Sequence, residues 1–325
     1  MSGRVRFYII VNPFAGSVVG AGTGAARRAK SEGHGPSDSR LGMSASGLLG
    51  EVMDGLRNAH AEVTLVNTHY VAHGCQLAKE AADSGLYDVI VAAGGDGTIN
   101  EVARGLVGSP TPMGIIPLGT ANILAIELGL EIRAPEICDM LLWGDARLVG
   151  TGLANGEVFL LMAGVGFDGA VVDAINPRLK QLTGQGAFVW ASFCEWLKGP
   201  GRSLQVTIDG RVEAAAWVLV TNVRHYAGPF VLAPSASLFQ PGLQVFLFRK
   251  PGRWAFITYF VALGLGRLER LSAVDVFMGS AVEISSSQAV CVEVDGDARG
   301  GLPLTLNKGQ HFLRMVMPRV VDQPT

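Results

Sequence analysis

Charge is scarce in this sequence. Only 17% of its 325 residues are Asp, Glu, Lys or Arg, and the formal net charge is -2. No basic excess is available to hold a polyanion, so nucleic acid is not an expected partner. Cysteine is scarce too. The four cysteines, at positions 75, 138, 194 and 291, form no C-x-x-C pair and no metal-ligand cluster. That fits a reduced, cytoplasmic setting. The six histidines are scattered, with none paired at metal spacing. Long apolar runs are missing as well. The longest candidate, "WAFITYFVALGLG" from Trp254 to Gly266, falls short of the ~18 residues a membrane span needs. After Met1 the chain enters "VRFYIIVNP" almost at once, which reads as a strand and a turn, so no signal peptide is expected.

What is abundant is core-forming material: 49% of residues are apolar, over a length that suits two domains. The first half alternates. Strand-like runs at Val5–Val11, Glu62–Val66, Asp88–Ala93 and Met113–Ile116 are separated by helix-like segments such as Leu48–Asn58 and Cys75–Ser84. Such alternation predicts a parallel sheet with helices on its faces. The second half reads as antiparallel. Asn155-Gly156 and Asp209-Gly210 each join two strand-like runs, and these dipeptides are strong hairpin signals. Further runs follow at Leu243–Phe248, Val274–Ile284, Val290–Val294 and His311–Met317, with helix-like segments at Gly186–Leu197 and Trp254–Leu268. The expected division is 1–145 and 146–325. Residues 17–46, rich in Gly, Ala and Ser, read as a mobile, solvated insertion.

The stretch "VAAGGDGTINEVARGL" (Val91–Leu106) places three glycines and Asp96 at a strand-to-helix turn. Glycine lets a backbone approach a ligand closely. Ile99, Val102, Ala103 and Leu106 recur at helical spacing, so the glycines end at a helix N-terminus, which suits a phosphate. Asp96 would be repelled by that phosphate, so it is expected to hold a metal ion or the shape of the loop. Two similar turns follow strands: "VNPFAG", with Asn12 and Gly16, and "PLGTAN", with Gly119 and Thr120. Ligands of open α/β sheets bind outside such strand ends.

"NPFAG", "GGDGTINEVARGL" and "PLGTAN", followed by "GVGFDG" and "VEVDGD", resemble the soluble bacterial lipid kinases of the diacylglycerol kinase catalytic-domain family. Sphingosine and ceramide kinases are similar. The resemblance implies an N-terminal α/β domain that binds ATP, a C-terminal antiparallel β-sandwich that holds the lipid, and an active site in the cleft between them. It implies nucleotide contacts from Asn12, Pro13, Phe14, Ala15 and Gly16, from Thr68, from Gly94, Gly95, Asp96, Gly97, Thr98, Ile99, Asn100 and Glu101, and from Gly119 and Thr120. Asp96 is the implied ligand of an ATP-borne Mg²⁺. Asp297 is the implied general base, with Asp295 either sharing that work or stabilising its turn. Acids common in the family are replaced by Ile123, Gly150 and Pro241, so a second Mg²⁺ site is not expected.

The expected activity is therefore ATP-dependent phosphorylation of a diacylglycerol-like or sphingoid lipid hydroxyl. A NAD kinase-like enzyme shares the GGDGT loop, and a non-catalytic nucleotide or lipid sensor is the remaining alternative. A reversible, peripheral membrane contact is expected from the apolar Trp254–Gly266 segment, which Arg249, Lys250, Arg253, Arg267 and Arg270 flank. A homodimer is compatible with the sequence.

Overall fold

The computed structural model describes residues 4–15, 45–166 and 203–319. Gly16, nearly all of the 17–46 segment, the last residues of "GVGFDG" and the Gly186–Leu197 run lie outside the described residues.

The first half is built of β1 (Arg6–Val11), α1 (Ala45–Asn58), β2 (Glu62–Asn67), α2 (His73–Ser84), β3 (Val89–Gly94), α3 (Asp96–Leu106), β4 (Met113–Pro117), α4 (Ile123–Glu127) and α5 (Ala134–Trp143). The four strands are parallel in the order β2-β1-β3-β4. Every residue of β3, VIVAAG, is buried, as a central strand covered on both faces requires. Helix α1 packs on α5, and α2 on α3. The face of α3 made by Ile99, Val102, Ala103 and Leu106 is buried. Each Ile, Val or Leu so buried contributes roughly 1.5–3 kcal/mol, which fixes the helix on the sheet.

The second half contains β5 (Asp145–Ala154), β6 (Glu157–Phe159), β7 (Met162–Val165), β8 (Leu204–Ile208), β9 (Arg211–Ala215), β10 (Trp217–Thr221), β11 (His225–Tyr226), β12 (Phe230–Val231), β13 (Leu243–Phe248), α6 (Arg253–Gly264), β14 (Val274–Gly279), β15 (Ala281–Ser285), β16 (Cys291–Val294), β17 (Asp297–Gly301) and β18 (Leu304–Met317). One sheet runs β14-β13-β10-β7-β16-β17. Its apolar face meets β8, β15 and β18 in a second core that includes Val206, Val220, Val245, Val282, Val292 and Leu306. This is the antiparallel sandwich. A third cluster, around Trp217, Phe248 and Tyr259, lies under α6.

The hairpin signals hold. Asn155-Gly156, Asp209-Gly210 and Asp295-Gly296 all have positive φ at both positions, as two-residue turns that match strand twist require. Other boundaries differ from the sequence reading. Val274–Ile284 is not one strand: the chain breaks at Ser280, and its halves enter different sheets. The Asp209 carboxylate accepts the Ser280 and Ala281 N–H groups (3.1 and 2.9 Å), which holds the corner. The last strand is twice as long as the His311–Met317 run, because its polar stretch around Lys308 also pairs with β5. Strand β18 joins the sandwich to the first domain. It pairs with β15 and β5 and, at Met315, with Met113 of β4, while Leu313, Met315, Val316 and Met317 enter the core of the parallel sheet.

Candidate active site

The expected nucleotide loops sit at the C-terminal ends of the four parallel strands, and three of them touch. After β1, the Asn12 amide donates to the Thr98 hydroxyl (3.1 Å), and its carbonyl oxygen accepts Phe14 N–H (3.0 Å). Pro13 and Phe14 are exposed and Ala15 is half-buried. Thr68, just past β2, is buried and donates its N–H to Val11.

The glycine turn has a steric cause. A Cβ on Gly119 would lie 2.6 Å from the Gly95 Cα, and one on Gly95 would lie 3.3 Å from the Gly119 Cα. The turns after β3 and β4 thus meet backbone to backbone. A Cβ on Gly94 would strike Thr98 at 2.5 Å. Gly97 differs: nothing lies within 4 Å of its Cβ position, so that side of the turn is open. Of the other expected contacts, Thr98, Ile99 and Asn100 are buried and Thr120 is exposed. The Asn100 Oδ1 is buried without a hydrogen bond. The Glu101 side chain is engaged within the protein. Its carboxylate takes the Ala72 and Gly74 N–H groups (2.9 and 3.1 Å) and pins the start of α2.

Asp96 opens α3 and reaches across to α4, accepting Ile123 N–H (3.2 Å) and Leu124 N–H (3.3 Å). Burial raises its pKa against these bonds. The pattern of residue types did not single out Asn122, yet it closes the third turn. Its side chain accepts Gly119 N–H and donates to Gly119 C=O, both at 2.9 Å, with φ at 48°.

The opposite wall is the Asp295-Gly296 turn between β16 and β17. The Asp295 carboxylate is buried and accepts three backbone N–H groups, from Leu160 and Leu161 (2.8 Å each) and Met162 (2.9 Å). Desolvation nevertheless wins over these bonds: the pKa is pushed up to about 6, and the Asp96 charge adds to the rise. The two carboxylates are therefore near enough to feel each other, although about two hundred residues separate them in sequence. An ion bridge ties the same walls together. Glu157 accepts Arg104 of α3 and Arg299 of β17, both at 2.9 Å. Asp297, the first residue of β17, is exposed.

Gly150, one of the three substituted positions, lies under a lysine. A Cβ there would meet the Lys308 Cε at 2.8 Å. The Lys308 ammonium donates to the Asn222 carbonyl oxygen, and burial lowers its pKa to about 8. An ammonium at this place repels a second metal cation. Neither Lys308 nor Asn222 stands in a recognisable motif, so the sequence offered no signal for them. Among the described residues no group of three or more His, Cys, Asp or Glu could hold a metal by itself. Asp96 and Asp295 still suit a cation brought by a ligand, since both are desolvated and they repel each other.

Comparison with known proteins agrees with this architecture. Residues 42–154 match the diacylglycerol kinase catalytic domain, and residues 162–322 match the YegS C-terminal NAD kinase beta sandwich-like domain. The chain is 29% identical to a diacylglycerol kinase of Bacillus subtilis over 286 residues, covering 83% of this chain and 91% of that one. It is 30% identical to a diacylglycerol kinase of Staphylococcus aureus over 244 residues, covering 73% and 76%. The crystal structure of a diacylglycerol kinase from Bacillus anthracis shares the fold, with a TM-score of 0.68 at 18% identity over 99% of this chain and 100% of that one. From the relative 30% identical over 76% of its length and the two matched domains it follows that this chain belongs to the diacylglycerol kinase family of lipid kinases.

Proposed function

We propose that the chain transfers the γ-phosphoryl group of ATP to the hydroxyl of a lipid alcohol in the cleft between the Gly94–Thr98 turn and the Asp295-Gly296 turn. The observation that carries this reading is the backbone-to-backbone meeting of the Gly95 and Gly119 turns at the N-terminus of α3. One wall carries glycines free of side chains and a helix N-terminus, which suit phosphate. The other carries a carboxylate whose pKa is tuned toward neutrality, which suits a general base. In the transfer, the lipid oxygen attacks the γ-phosphorus, the bond to the bridging oxygen breaks, ADP leaves, and the hydroxyl proton goes to a carboxylate. Positioning and charge neutralisation supply the rest of the catalysis.

The resemblance points to Asp297 as the base. We assign the role to Asp295 instead, because Asp297 is exposed while Asp295 is fixed by the Leu160–Met162 backbone. Three N–H groups occupy three of its roughly four acceptor positions, which leaves one for a hydroxyl. Mg²⁺ carried by ATP would neutralise phosphate charge when bound, with Asp96 as the protein carboxylate that holds it. The functional division lies near residue 145, with the last residues of β18 returning to the nucleotide domain.

The lipid is expected to come from a membrane surface by reversible contact. Helix α6 exposes Trp254, Ile257, Phe260 and Val261, and Leu265 follows them. Such an apolar face suits an interface, and no described helix is long and apolar enough to cross a membrane.

The assignment of the base is tested by turnover of labelled ATP on lipid micelles. Asp295→Asn should lower kcat by about 10²-fold or more while ATP affinity stays within a few-fold. Asp297→Asn should keep most of the turnover. The reverse pattern would return the base to Asp297.

A further inference from the structure

Beside the cleft, a cavity of about 390 Å³ is lined by Glu127, Leu128, Arg147, Arg224, Phe239 and Met317, among others. Glu127 is already engaged, accepting Arg224 N–H (3.0 Å) and facing His225 Nδ1 (2.9 Å), and its side chain is only 6% exposed. The two arginines are different. Arg147 lies over the Phe239 ring, 4.4 Å from its centroid, and the Arg224 contact to Glu127 runs through its backbone. Both side chains are exposed, and neither guanidinium has a carboxylate partner among the described residues. Two guanidinium forks without a carboxylate partner among the described residues, beside Leu128, Phe239 and Met317, fit a phosphate that carries a hydrocarbon chain.

Position supports the same ligand. Helix α4 begins at the Asp96 carboxylate with Ile123 and ends at Glu127, four residues later. At 1.5 Å per residue the cavity lies roughly 6 Å along that helix from the Asp96 end. On the other side, Ala236 lines the cavity and also packs in the cluster with Tyr259, Ala262 and Leu263 of α6. The cavity thus stands between the proposed membrane face and the proposed reaction centre.

We infer that Arg147 and Arg224 form a binding site for the phosphate of an anionic phospholipid. The inference rests on the lipid-kinase reading only in naming a lipid as the carrier of the phosphate. The test is calorimetric titration of the full chain, without ATP, using dihexanoyl phosphatidylglycerol, dihexanoylglycerol and inorganic phosphate as separate probes. Because no turnover is read, failure here is distinct from failure of the kinase assignment. The expected result is that dihexanoyl phosphatidylglycerol binds, and that Arg147→Gln and Arg224→Gln each raise its Kd about tenfold or more. Binding of an ATP analogue stays unchanged. Arg147→Lys should recover only part of the loss, since an ammonium lacks the fork. Equal binding of inorganic phosphate, with the same losses, identifies free phosphate as the source and overturns the lipid part. Binding of the phospholipid that both glutamine variants leave unchanged, or dihexanoylglycerol binding that they weaken equally, overturns the site.

Discussion

The three glycines at Gly95, Gly97 and Gly119 serve two different physical purposes, and alanine should separate them. At Gly119 a Cβ would stand 2.6 Å from the Gly95 Cα and 2.9 Å from the Asn122 Oδ1. A backbone atom cannot rotate away, so the two turns must part. Overpacking of this kind costs about 1–3 kcal/mol. At about 2–4 °C per kcal/mol, the melting temperature should fall by roughly 2–12 °C. The loops that cradle the phosphates would move by a large part of an ångström, and a misplacement of that order costs about 10²-fold in rate. Gly119→Ala should therefore lose both stability and activity. At Gly97, nothing lies within 4 Å of the added Cβ, and the residue sits inside α3. Gly97→Ala should stabilise the helix by about 0.5–1 kcal/mol. It should still weaken ATP binding about tenfold or more, because the new methyl occupies the space left for the nucleotide. Calorimetric melting and ATP titration of both variants make the comparison. If Gly97→Ala binds ATP as tightly as the unaltered chain, the nucleotide does not lie against this turn.

Other outcomes follow from the same site. Asp295 has its pKa raised from 3.8 to about 6, so it must lose a proton to act as a base, and kcat should rise with pH along an acid limb near 6. Asp295→Asn should abolish that limb. The same shift has a sign for stability. Below pH 4 both folded and unfolded chains hold the proton; between about 4 and 6 the folded chain alone keeps it. This group's contribution therefore falls by about 3 kcal/mol as pH rises through that window, and urea melts of Asp295→Asn should lack the fall. Glu157→Gln removes the bridge between Arg104 and Arg299, whose side chains are partly exposed. Its stability cost should stay within about 1 kcal/mol and shrink with salt. Trp254 is 82% exposed, so its fluorescence should shift to the blue on anionic vesicles; an unchanged spectrum at saturating vesicle would remove α6 from the membrane contact.

The parallel half was legible because its signals are local. Apolar runs end in glycine turns, and α3 shows its buried face at helical spacing. The type of the three two-residue hairpins was legible for the same reason. What the sequence hid depends on distant partners. Nothing near Ser280 says that Asp209 will capture its N–H and split a strand. The polar letters around Lys308 conceal a strand that crosses from one domain to the other. The role of Asp96 was half visible: a carboxylate in a phosphate turn needs a reason, but its bonds to the start of α4 belong to a segment 27 residues on. Asp295 and Asp297 look equivalent as letters. Only the backbone of Leu160–Met162 distinguishes them, by burying one and leaving the other in solvent.

The central claim is that a lipid hydroxyl, and not a nucleotide, accepts the phosphoryl group. The direct measurement is incubation of the chain with γ-labelled ATP, Mg²⁺, mixed micelles of lipid alcohols and NAD, followed by solvent extraction. The label should move into the organic phase with the unaltered chain and stay in the aqueous phase with Asp96→Ala. Label recovered in a phosphorylated NAD, or organic-phase label that Asp96→Ala leaves undiminished, would contradict the account.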